Sequence, residues 1–166
     1  MTAGWSIELL SEPHDLSQFS SGVEDLDSWL ARAALTAQAK GTARTYLLTD
    51  GAGRVRGYFS LCPHLLLRAD APRTLVSGDP DQIPSLLLAR LALDSALHGQ
   101  GLGGLLLAAA EQRAVAACER AGGRLLVVDA IDERAAKFYE HFGYRRLPAV
   151  LRLMRKISDI ARDHQT

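Results

Sequence analysis

Leu97-His98-Gly99-Gln100-Gly101-Leu102-Gly103-Gly104 is the stretch whose reading decides the fold. Four glycines in six positions let a backbone approach a ligand closely, with no Cβ in the way. Upstream, Leu86-Leu-Leu-Ala-Arg-Leu-Ala-Leu-Asp94 is a continuous apolar run, expected as a central strand buried on both faces. Downstream, the pattern predicts a helix from about Leu102 to Ala121, ended by Gly122-Gly123. The first N–H groups of such a helix point into the glycine turn beside the positive end of its dipole, which makes a phosphate cradle. A turn that merely needed positive φ would require one glycine.

Gly99, Gly101 and Gly104 literally satisfy the dinucleotide pattern G-x-G-x-x-G, and Asp129 ends the next strand roughly where a ribose-binding acid belongs. Position argues against that ligand. A dinucleotide fingerprint begins as its strand ends, whereas Ser95 to His98 intervene here. The motif also comes too late in the chain for a second mononucleotide-binding half. A Walker A loop is excluded because no Gly-Lys-Ser/Thr follows.

Outward from this centre, Leu125-Leu-Val-Val-Asp129 reads as a second buried strand. Asp132 is placed to N-cap a short helix from Glu133 to Phe142 that Gly143 ends, and residues 151–157 read as a last strand. Toward the N-terminus, Trp5 to Leu10 reads as a short strand. Ser21-Gly-Val-Glu24 matches a capping box for a helix that stops near Gly41. Thr45–Thr49 and Val55–Cys62, joined by the turn Asp50-Gly51-Ala-Gly53, form an expected hairpin. Residues 67–84 read as a long irregular connection. The order strand, turn, helix, strand, helix from Leu86 to Phe142 is α/β. The 166 residues fit one domain, with no repeat or linker visible.

Composition is that of an ordinary globular chain, 48% hydrophobic and 23% charged, with a formal net charge of +0. Only a local basic patch would then signal nucleic acid. Cys62 and Cys118 lie far apart without CxxC spacing, so a disulfide framework or zinc site is not expected. The N-terminus lacks the pattern of a signal peptide, and no apolar run reaches the length of a membrane span. A cytoplasmic location is the expectation.

The segment His98-Gly-Gln-Gly101-Leu-Gly103 resembles the pyrophosphate motif Gln/Arg-x-x-Gly-x-Gly/Ala of the GNAT acetyltransferases. Asp132-Glu-Arg-Ala135-Ala-Lys-Phe138-Tyr139-Glu-His-Phe142-Gly143-Tyr144 resembles the family's Phe-Tyr helix and follows in the right order and at the right separation. The chain also resembles the GNAT toxins of bacterial toxin–antitoxin modules, from about Phe19 to Ile157. The carriers are Phe19-Ser-Ser-Gly22 through Trp29-Leu30, Arg44-Thr-Tyr46, Ile83-Pro84, Leu88 to Asp94, and Val128-Asp129-Ala130. The resemblance implies a mixed, mostly antiparallel twisted sheet flanked by helices, with CoA at splayed central strands. It implies transfer of acetyl from acetyl-CoA to the α-amine of aminoacyl-tRNA, blocking translation. A ribbon-helix-helix antitoxin and a homodimer are implied with it.

Carried over residue by residue, Leu91, Ala92 and Leu93 offer backbone groups to the pantetheine arm, and a strand N–H faces the developing oxyanion. His98, Gly99, Gln100, Gly101, Leu102, Gly103 and Gly104 form the pyrophosphate cradle, although His98 replaces the usual Gln or Arg. Asp132, Ala135 and Phe138 complete the CoA contacts, Asp132 being otherwise a plain N-cap. Tyr139 is the candidate general acid for the leaving thiolate. From spacing alone it is equally a core residue with a satisfied hydroxyl, because Ala135, Phe138, Tyr139 and Phe142 share one helical face. No general base is assigned. Asp94 and Asp129 are candidates by position but read first as turn or cap residues. His64, after the second hairpin strand, lies where it can approach the cleft.

Arg145, Arg146, Arg152, Arg155 and Lys156 fall in a segment without acids, and Lys40, Arg44, Arg68, Arg73 and Arg90 are further basic positions. They read either as an electropositive rim for tRNA or as an edge strand protected by charge. Two other readings stay open: a GNAT enzyme acting on a protein N-terminus, a lysine or a small amine, and a CoA-binding module without turnover.

Overall fold

A computed structural model describes residues 4–165. The elements run β1 (Ser6–Leu9), α1 (Glu24–Arg32), α2 (Ala34–Lys40), β2 (Arg44–Thr49), β3 (Val55–Leu67), α3 (Arg73–Val76) and β4 (Gln82–Leu93). They continue with α4 (Leu102–Ala121), β5 (Leu125–Asp129), α5 (Glu133–His141), β6 (Arg145–Arg146), β7 (Arg152–Lys156) and α6 (Ile157–Asp163). The strands hydrogen-bond in the order β1-β2-β3-β4-β5-β7-β6. The sheet is mixed and mostly antiparallel: β4 and β5 pair in parallel, while β1–β2, β2–β3, β5–β7 and β6–β7 are antiparallel. The expected α/β class is the one observed. The chain forms two compact units, Met1–Cys62 with Ala89–Ala110, and Pro63–Leu88 with Glu111–Thr166.

In the first unit, Leu10, Leu30, Leu47, Tyr58 and Ala92 share one apolar cluster, with Trp29 packed on its margin. Each of the fully buried leucines among them contributes about 1.5–3 kcal/mol. The Tyr58 hydroxyl donates to the Leu26 carbonyl at 2.7 Å, so α1 is tied to β3 at a polar point inside an apolar cluster. Gly57 lets the strands come close: a Cβ there would stand 3.1 Å from the Ala92 carbonyl oxygen.

The expected capping box is not formed. Ser21 Oγ accepts from Val23 N–H (3.1 Å) and donates to Asp27 (2.6 Å), and the Asp27 carboxylate accepts from Ser21 N–H (3.0 Å). Asp27 thus takes the place predicted for Glu24, because α1 begins only at Glu24. The expected single helix is also broken at Ala33 (φ −121°), giving α1 and α2. Gly41 at φ 77° ends the second, as its position predicts.

The second unit packs Leu66, Val76, Ile83, Leu125, Val127 and Met154 into a core. Three expectations are corrected here. Strand β3 runs through exposed Pro63 to Leu67 rather than stopping at Cys62. The connection after it contains a 3₁₀ turn over Arg68–Asp70 and helix α3, and β4 already begins at Gln82. Between Leu86 and Leu93 only Leu88 and Ala92 are buried, the rest being half-buried, so the central strand is not covered on both faces. Strand β6 and helix α6 were not foreseen. Cys62 is half-buried and Cys118 buried.

Candidate acetyl-transfer site

Strand β4 ends at Asp94, whose carboxylate accepts from Ala96 N–H at 3.0 Å and starts a 3₁₀ turn over Ser95–Leu97. Its own N–H donates to the Arg56 carbonyl at 2.8 Å. Asp94 is therefore a cap, as read first. Gly99 (φ 79°) and Gly101 (φ 77°) then reverse the chain into α4. Both angles are left-handed, and a Cβ at either position would meet nothing within 4 Å. Conformation rather than crowding requires these two glycines. Gly103 and Gly104 lie in the first turn of α4, whose 20 residues give it a full dipole. The first N–H groups of that turn have no partner four residues back within the helix.

The side chains of the turn fold back rather than outward. His98 Nε2 lies 2.9 Å from the Leu93 carbonyl, and Gln100 Nε2 donates to the Ala96 carbonyl at 3.2 Å. A neutral imidazole has one N–H, and here the Leu93 oxygen takes it. A diphosphate at this turn would meet backbone amides and the dipole, with His98 Nε2 already spent on the Leu93 carbonyl.

Leu91 and Leu93 are half-buried, and Ala92 is 5% exposed with its methyl in the core. The parallel ladder of β4 with β5 covers Leu86↔Leu126, Leu87↔Val127 and Leu88↔Val128 and goes no further. The backbone of residues 89–93 thus runs on after its β5 pairing has ended. This is the edge to which an extended arm adds by strand-like hydrogen bonds.

In the second unit, Asp132 accepts from Ala135 N–H at 2.8 Å and caps α5. Ala135 and Phe138 are half-buried and Tyr139 is 6% exposed. The Tyr139 ring meets Phe138 edge-on at 5.2 Å and Tyr144 at 5.8 Å. None of the hydrogen bonds among the described residues involves its hydroxyl. Burial pushes the phenol above its ordinary value, so it holds its proton at neutral pH. The expectation of a core tyrosine with a satisfied hydroxyl is half met: the ring is core, the hydroxyl is unclaimed.

Asp129 is neither cap nor turn residue. The cross-strand register places it opposite Arg152, which grips it bidentately at 2.7 and 2.8 Å. That grip holds the Asp129 carboxyl well below the usual range, which makes it a poor base. The third arm of the guanidinium, Nη1, lies 3.3 Å from His64 Nε2. Arginine can only donate, so His64 accepts through Nε2 and carries its proton on Nδ1. Burial first, and the Arg152 charge second, lower the His64 value. Asp129, Arg152 and the apolar side chains of Leu147, Val150 and Leu151 border a cavity of about 570 Å³. The role of Arg152 was not visible, because only strand pairing brings it to Asp129.

Of the expected basic rim, three of the five cations in the 145–156 segment are paired with acids, and Arg68 pairs with Asp81. Arg146 binds Glu133 at 2.6 Å and Arg152 binds Asp129, while Arg155 pairs with Asp163 and lies 3.7 Å from Glu111. Arg145 donates to the Thr74 hydroxyl. The acids lie outside the 145–156 segment, on α4, β5, α5 and α6, so the run looked unpaired in one dimension.

A family model described as an acetyltransferase (GNAT) domain matches residues 41–146. A tRNA-acetylating toxin of Mycobacterium tuberculosis is 37% identical over 139 residues, which cover 84% of this chain and 83% of the relative. The structure of AtaT complexed with acetyl-methionyl-tRNAfMet is 29% identical with a TM-score of 0.87, covering 96% of this chain and 99% of that one. A tyrosine-to-phenylalanine mutant of the AtaT toxin, bound to the C-terminus of the antitoxin AtaR and acetyl-CoA, is 28% identical with a TM-score of 0.83, covering 98% and 99%.

Proposed function

The chain belongs to the GNAT acetyltransferase family, and from that premise we propose that it is a toxin that acetylates the α-amine of aminoacyl-tRNA with acetyl-CoA as donor. The observation that carries the reading is a buried Tyr139 phenol with an unclaimed hydroxyl, in a chain 37% identical to a tRNA-acetylating toxin.

In this reading the amides of Gly99 to Gly104 and the α4 dipole hold the diphosphate of CoA, and the Leu91–Leu93 backbone aligns the pantetheine arm. Asp132 orders α5 as its cap, and Ala135 and Phe138 line the CoA path. The neutral amine attacks the thioester carbonyl, and a strand N–H stabilises the oxyanion. As the tetrahedral intermediate collapses, the C–S bond breaks and Tyr139 passes its proton to the departing thiolate. The amine's surplus proton leaves to solvent, and the Tyr139 phenolate takes a proton back from solvent, which restores the acid.

The state of the two candidate bases supports this acceptor class. Asp129 is locked by Arg152, and His64 has its accepting nitrogen occupied. A lysine, with a pKa of about 10.4, would need deprotonation by the enzyme. An α-amine titrates at roughly 7.7–8.0, and an adjacent ester lowers it further, so much of it is already neutral. This favours aminoacyl esters over lysine.

A ribbon-helix-helix antitoxin, a homodimer and a cytoplasmic site of action belong to the same proposal. The AtaT–AtaR likeness supports an antitoxin partner. No helix among the described residues is long and apolar enough to cross a membrane. The expectation of one domain over 1–166 is also part of it, supported by a family match that draws on both compact units. The test is incubation of the purified protein with acetyl-CoA and charged tRNA. N-acetyl-aminoacyl-tRNA by mass spectrometry with stoichiometric CoA release supports the function. Release of CoA only with lysine or small amines rejects it.

A further inference from the structure

Arg90 stands out among the cations of the first unit. Its guanidinium carbon lies 3.8 Å from the centroid of the Trp29 ring, over the indole face. Trp29 in turn stacks on Tyr58 at 6.2 Å, and Phe19 closes on Tyr58 edge-on at 5.8 Å. The arginine is therefore held on a layer of aromatic rings anchored in the core. Of the half-buried arginines in this unit, Arg56 has Asp50 at 3.3 Å. Arg90 has no carboxylate partner among the described residues. Asp27, on the same helix as Trp29, is committed to Ser21. The charge of Arg90 acts instead on Cys62 and Tyr58, neither of which is ionised at neutral pH.

A half-buried cation without an acid carries a desolvation cost that the indole offsets only in part. What such a site retains is a planar fork of N–H donors, pre-oriented and unspent, which matches the oxygens of a phosphate. Its place on the strand narrows the ligand. Arg90 immediately precedes Leu91, and strand alternation puts its side chain on the face of Ala92, toward α1. In an aminoacyl ester of a nucleic acid, a single ribose separates the reacting amino acid from the first phosphodiester. A group that grips that phosphate must therefore sit within a side chain's length of the strand that aligns the thioester.

We propose that Arg90, laid on Trp29, is the phosphate-binding group of the acceptor subsite and grips the phosphodiester of the 3′-terminal nucleotide of aminoacyl-tRNA. The assignment rests on the acetyltransferase reading above. It adds a nucleic-acid contact on the strand itself, whereas three of the five cations in the 145–156 segment are already paired with acids.

The experiment compares the unaltered protein with Arg90→Gln, Arg90→Lys and Trp29→Leu on two acceptors, an aminoacyl-tRNA and the matching aminoacyl-adenosine ester, which has no phosphate. Arg90→Gln raises KM for the tRNA about tenfold more than KM for the ester, and the slope of log KM against log salt falls by about one. Arg90→Lys, which keeps charge but not the fork, gives a smaller rise with the same preference, and serves if Arg90→Gln unfolds on a thermal scan. Trp29→Leu raises KM for the tRNA more than for the ester. Equal changes in KM for both acceptors overturn the assignment while leaving the acetyltransferase reading intact. A loss of acetyl-CoA affinity as large as the loss for tRNA also overturns it, by moving Arg90 to the donor's phosphates. An unaltered protein that acetylates the ester but no aminoacyl-tRNA overturns both.

Discussion

The Tyr144 hydroxyl donates a 2.7 Å hydrogen bond to the carboxylate of Glu111, which is 6% exposed in the middle of α4. Glu111 also takes His164 Nε2 at 2.9 Å and lies 3.7 Å from Arg155. A buried carboxylate persists only when its oxygens are satisfied. Tyr144→Phe leaves one oxygen short of a donor, and we expect a loss of about 1.5–3 kcal/mol. The change is read as a lowered midpoint in denaturant with an unchanged m-value. A shift within error would mean that His164 and Arg155 suffice.

Tyr139 predicts the opposite pattern. Its ring packs against Phe138 and Tyr144, and its hydroxyl has no partner among the described residues. Tyr139→Phe keeps the ring and should leave stability within about 0.5 kcal/mol. Turnover should fall by about 10²–10⁴, because the thiolate then leaves without a positioned acid. Loss of stability without loss of turnover would return Tyr139 to the core and remove it from the chemistry.

At the glycine turn, Gly101→Val puts a β-branched side chain at φ 77°, a conformation costing about 1–3 kcal/mol for such a residue. Its Cβ would enter space that holds no protein atom within 4 Å. We expect acetyl-CoA affinity to fall more than tenfold by calorimetric titration. Gly78→Val, at φ 83° and equally open, provides the control for strain away from the turn. If both variants bind acetyl-CoA as the unaltered protein does, residues 99–104 are not the cradle.

These contrasts show what one dimension holds. Helix α4, strand β5 and helix α5 were legible because local signals mark their ends: Gly122-Gly123, the Asp132 cap and Gly143. The turn and Tyr139 belong to compact motifs and were legible for the same reason. Arg152 and Asp129 lie 23 residues apart and meet only through the β5–β7 register. Glu111 gathers partners from residues 144, 155 and 164. Helix α6 was hidden because it follows β7 directly and has no side-chain cap at Lys156. Strand β3 runs on past the expected end at Cys62 because Pro63 is exposed, where a missing N–H costs little.

The His64–Arg152–Asp129 chain sets the response to acid. His64 is lowered from 6.5, so below that value the unfolded chain binds a proton that the folded one resists. Stability is therefore full above about pH 6.5 and declines as pH falls toward the folded value. Asp129 is lowered too, from 3.8, and adds a second decline as pH drops through the carboxylate range. Both losses have the same sign, so acidification weakens the second unit in two steps. His64→Gln should flatten the upper step and leave the lower, and Asp129→Asn the reverse. Urea midpoints measured from pH 7.5 to 2 decide the matter: a profile flat between 6.5 and 5 in the unaltered protein would mean that His64 is protonated freely beside Arg152.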